Sequence, residues 1–88
     1  MGSTRSQINW ISHLEDGSKI EVRANKFPKR WTLKYRLKGD LDWTYDWEAP
    51  LSEWETLLDA LERRYQRRHA SIEDLKEVRA VISRLKNP

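Results

Sequence analysis

The chain has 88 residues, 35% of them charged and 38% hydrophobic, with a formal net charge of +3. That length allows one domain, near the lower limit of what folds without covalent or metal staples. The absence of cysteine excludes disulfides, thiol chemistry and Cys-based zinc sites, and no apolar run approaches the ~20 residues that span a bilayer.

Residues 1–7, MGSTRSQ, read as a disordered tail, and residues 8–88 as a single α+β domain. Gly2 and Ser6 formally fit the short N-myristoylation pattern. No polybasic run adjoins them, and one acyl chain anchors only marginally, so no membrane attachment is expected. A cysteine-free chain of this type fits the cytoplasm.

Ile8 to Asn25 is expected to form a hairpin about the Asp16-Gly17 turn signal. A two-residue turn there pairs Leu14 with Lys19, sets Ile11 opposite Val22, and puts Trp10 opposite Arg23 on the other face. A second hairpin follows Pro28. Trp31, Leu33, Tyr35 and Leu37 share one face of its first strand, and Thr32, Lys34 and Arg36 the other. Its turn lies at Lys38-Gly39-Asp40. The return strand is LDWTYDWEAP, with Trp43, Tyr45 and Trp47 alternating against Asp42, Thr44 and Asp46.

Those aromatics are either one strand of the core or an open platform for stacking a ligand. The core reading is favoured, because the helices that follow need an apolar sheet face. In that arrangement Lys34 and Arg36 lie across from Asp42 or Asp46 on the outer face. Ser52 and Glu55 form a capping-box signal, and Trp54, Leu57, Leu58, Leu61 and Tyr65 recur at helical spacing. After His69-Ala70, Ser71 is placed to cap a second helix bearing Ile72, Leu75, Val78, Ile82 and Leu85. The expected fold is ββββαα: a two-layer α+β domain with a four-stranded antiparallel sheet and both helices on one face.

The modest net charge hides segregation. Lys19 to Lys38 holds eight basic residues and one acid, whereas Asp40 to Glu62 holds eight acids and no base. RRYQRR then supplies Arg63, Arg64, Arg67 and Arg68. Part of this order simply complements a helix dipole, with acids first and bases last. Like charges four residues apart nevertheless oppose one another, and arginine is the side chain suited to planar anion recognition. Candidate partner-binding residues are therefore these four arginines with Trp10, Arg23, Lys34 and Arg36. An acidic protein is the expected partner. Nucleic acid is the alternative, since cations interleaved with an aromatic also serve phosphates and bases. Either a monomer or a homodimer accommodates this surface.

Chemistry is expected to be absent. His13 and His69 have no partner at metal-ligand spacing, so no metal or cofactor is expected. The glycines, at 2, 17 and 39, form no phosphate loop. Asp42 and Asp46 lie among bases that keep carboxylates ionised, which suits no general acid.

Two resemblances follow from the order of elements. RWTLKYRL before WTYDWEAPLSEWETLLDALERR resembles the arm-type DNA-binding domains of phage and transposon integrases. That resemblance implies a sheet in the major groove and implicates Lys34 and Arg36. The order of hairpins and helices, with EDGSKI at the first turn, is similar to some small phage inhibitors of CRISPR complexes, which block protein surfaces. Neither assigns the chain to a family.

Overall fold

The computed structural model describes residues 7–27, 30–45 and 47–87. Strands β1 (Gln7–His13), β2 (Lys19–Phe27) and β3 (Arg30–Leu37) precede helices α1 (Leu51–Gln66) and α2 (Ile72–Lys86). The sheet is antiparallel, in the order β1-β2-β3. Among the described residues this is an α+β fold with three strands rather than the four expected. Residues 1–6 of the expected tail lie outside the described residues, and Gln7 already belongs to β1.

The first hairpin differs by one residue from its expected register. Gly17 N–H donates to Leu14 O and Leu14 N–H to Ser18 O, each at 2.9 Å, which encloses a three-residue loop. Gly17, at φ +90, takes the left-handed position of the bulge that such loops carry. The local cause is Asp16. Its Oδ1 accepts the Ser18 N–H at 2.8 Å, the donor that a two-residue turn would have returned to Glu15. The same contact, with the Ser18 hydroxyl, holds the Asp16 carboxyl below its ordinary value of 3.8. Trp10 consequently pairs with Val22, and Arg23 with Asn9. A one-residue slip turns every side chain of β1 over, so Trp10 moves to the helix side.

That inner face carries Ile8, Ile20, Val22, Ala24, Trp31 and Leu33, all buried. Leu57 and Leu61 of α1, with Leu75, Val78 and Ile82 of α2, form one core cluster with Ile8, Ala24, Trp31 and Leu33 of that face. Burying each such side chain stabilises by about 1.5–3 kcal/mol, which a domain this small needs against chain entropy.

Pro50 precedes α1 with extended backbone and no side-chain cap, so the expected Ser52–Glu55 box does not form. Ser52 is already inside the helix, and its carbonyl accepts from Thr56 Oγ1. The Ser71–Asp74 box does form and starts α2. The Asp74 carboxylate also accepts from the Trp31 indole at 3.3 Å and meets Lys26 Nζ at 2.6 Å, which ties α2 to the sheet. No helix among the described residues is long and apolar enough to cross a membrane.

Candidate functional site

Among its described residues, LDWTYDWEAP forms no fourth strand and is not wholly core. It touches the sheet at one bridge, Tyr35 with Thr44, whose two hydrogen bonds span 3.3 and 2.7 Å. Opposite residues share a face, so Thr44 points with Tyr35 and its neighbours point the other way. Trp43 and Tyr45 therefore lie over the outer face. Trp47 packs against the core, its ring centroid 4.7 Å from that of Tyr35, and Ala49 is buried there. Within a few residues the chain passes around the β3 edge from one face to the other, which ends pairing after a single bridge. Asp46 lies outside the described residues.

On the outer face, Trp43 sits among three cations. Arg23 Cζ lies 4.4 Å, Arg36 Cζ 4.8 Å and Lys34 Nζ 5.1 Å from its ring. Lys34 also lies 5.0 Å from the Tyr45 ring. Register explains the assembly: Glu21 pairs with Arg36 and Arg23 with Lys34 across β2 and β3. Glu21 accepts from Arg36 at 3.0 Å and lies 3.9 Å from Arg23. The indole face supplies the remaining negative potential. Arg23 Nε is buried and makes no hydrogen bond among the described residues. Beside β3 a cleft of about 830 Å³ opens between Tyr45, Trp47, Trp54 and Arg84.

The helix layer presents a different surface. Arg68 N–H donates to Tyr65 O at 2.9 Å and His69 N–H to Arg64 O at 2.7 Å, the two bonds of a Schellman stop. Arg68 holds φ 64 in the left-handed position that glycine usually occupies there. Among the described residues Arg63 pairs with Asp59 and Arg79 with Glu62, while Arg64, Arg67 and Arg68 make no ion pair.

The expected site residues thus separate. Arg23, Lys34 and Arg36 converge on the outer face, Arg64, Arg67 and Arg68 gather at the α1–α2 turn, and Arg63 is paired. Trp10 joins neither group, and is not across from Arg23, because its indole is turned inward to Glu53. Trp43 and Tyr45 were missed as companions of the cations. The only sequence signal for them was that their strand alternates in a way either face could accept. No group of three His, Cys, Asp or Glu placed to hold a metal occurs among the described residues.

No protein-family model, curated protein or solved structure matches this chain. The likenesses to integrase arms and phage inhibitors remain likenesses in element order.

Proposed function

We propose that this chain is a non-catalytic interaction module that binds an acidic protein partner at the α1–α2 turn. The observation that carries this reading is the contrast among the arginines. Arg23 and Arg36 are engaged by Glu21 and Trp43, whereas Arg64, Arg67 and Arg68 meet no acid among the described residues. A guanidinium fork takes a carboxylate bidentately, and several on one turn favour a surface rich in Asp and Glu. Holding Arg68 at φ 64 has a conformational cost that glycine would avoid, and solubility alone would not require it.

A nucleic-acid reading draws support from Trp43 and from Tyr45, 61% exposed, beside Lys34. Stacking platforms combine such residues. It ranks second because Glu21 and the indole already occupy the cations there.

The test is a titration of poly-glutamate and of mixed-sequence single- and double-stranded DNA at low and physiological salt. The tryptophans provide the fluorescence signal. Saturable, salt-weakened binding of poly-glutamate, reduced about tenfold or more by replacing Arg64, Arg67 and Arg68 with Gln, is expected. Preference for DNA, lost on Lys34→Gln and Trp43→Leu, would transfer the function to the outer face. No binding of either polymer at low salt would remove both readings.

A further inference from the structure

The two edges of the sheet are treated differently. At β3, Glu77 Oε1 accepts the Trp31 N–H at 2.9 Å, and Thr44 pairs with Tyr35 farther along. Arg30, Lys34 and Arg36 also line that strand. Charge and covering groups of this kind protect a strand edge from pairing with another chain.

At β1 these safeguards are missing among the described residues. The strand QINWISH contains no Lys, Arg, Asp, Glu or Pro. The Leu14–Ser18 hydrogen bond sets the phase of the ladder. With the observed register, Ser12, Trp10 and Ile8 are the residues whose backbone groups face β2. Asn9, Ile11 and His13 therefore send N–H and C=O outward, and none of these groups bonds to another described residue. All three residues are exposed, and Ile11 leaves 48% of its surface in solvent.

We propose that β1 pairs antiparallel with β1 of a second copy, joining two three-stranded sheets into one continuous sheet. The strand is self-complementary. Full overlap of Gln7–His13 places the two-fold axis at Trp10 and sets Asn9 opposite the partner's Ile11. In that register the outward-facing groups of Asn9 and Ile11 meet their counterparts in closely bonded pairs. Ile11 then lies beside the partner's Asn9 and diagonal to the partner's Ile11, covering its exposed surface. A second copy fits better than an acidic chain, because β1 offers no cation. The same operation at β3, centred on Leu33, would set Arg30 against the partner's Arg36, a like-charge clash. This inference is independent of the arginine turn and of its acidic partner.

Sedimentation equilibrium of the full chain, to about 1 mM, tests the association directly. A concentration-dependent dimer is expected. Ile11→Lys changes an exposed side chain, and Asn9→Pro removes an N–H that β2 does not use. Each is expected to weaken dimerisation about tenfold or more, with the far-UV circular dichroism of the monomer retained. Residue-resolved amide exchange supplies a second readout. Asn9, Ile11 and His13 should exchange rapidly when dilute and gain protection with the dimer, while Ile8 and Trp10 stay protected throughout. A chain monomeric to that concentration would overturn the proposal. So would a dimer indifferent to both variants in which the Asn9 and Ile11 amides still exchange freely.

Discussion

The Trp10 indole donates to Glu53 Oε1 at 2.8 Å, across 43 residues of sequence. Ser12 Oγ donates to the other oxygen of the same carboxylate, so one acid in the first turn of α1 holds the edge strand β1. Glu53 is 5% exposed, so its carboxylate meets these donors away from solvent. Glu53→Ala strands two donors, and a loss of about 1–3 kcal/mol in urea unfolding is expected. Glu53→Gln keeps an acceptor for Trp10 and is expected to lose less. Equal losses for the two variants would show that the hydrogen bonds are not the source.

Arg68→Gly relieves a left-handed arginine and is expected to stabilise the domain by about 0.5–1 kcal/mol. A rise of a few degrees in the thermal midpoint would register it. The same variant should bind poly-glutamate more weakly, so stability and binding should move in opposite directions.

Asp74 couples stability to pH. Burial works to raise its carboxyl, but the Lys26 contact, the Ser71 N–H and the Trp31 indole outweigh it and hold the group below 3.8. The unfolded chain therefore binds a proton first as pH falls. The Asp74 contribution is complete above the unfolded value and disappears as pH drops through the lower folded value. Urea midpoints should fall with acidification below about pH 4, and Asp74→Asn should flatten that part of the profile while lowering stability at neutral pH. An unchanged acid profile in Asp74→Asn would assign the dependence to other carboxylates.

Trp43→Ala uncovers Arg23, Lys34 and Arg36 together. The lost cation–π contacts predict a destabilisation of about 1–2 kcal/mol, measured by urea titration monitored by circular dichroism. Trp43→Phe, which keeps a smaller aromatic face, should recover part of it. Indifference to both would mean that the indole only rests on the surface.

Much of the fold was legible from local patterns. Leu57 and Leu61, like Leu75, Val78 and Ile82, recur with the helical period, and that period alone identifies the stripes that become buried. Ser71 and Asp74 are close in sequence, so their cap needs no tertiary information. Alternation in Ile20, Val22 and Ala24 marked the inner face of β2, and in Trp31 and Leu33 that of β3. The clustering of arginines at the end of α1 was equally plain, as was the acidic run before it.

What depends on a single residue of phase was decided by one local turn contact and by one tertiary bridge, neither of which periodicity shows. Asp16 binding Ser18 N–H lengthened the first loop by one residue and so turned Trp10 inward to Glu53. The Tyr35–Thr44 bridge fixed the phase of the aromatic segment and placed Trp43 on the cations. In a strand of period two, alternation separates two faces, but which of them meets the core also depends on the phase set by pairing. For helices the apolar stripe makes that choice locally; for Trp10 and Trp43 it was made by hydrogen bonds to residues distant in the chain or by the geometry of a turn.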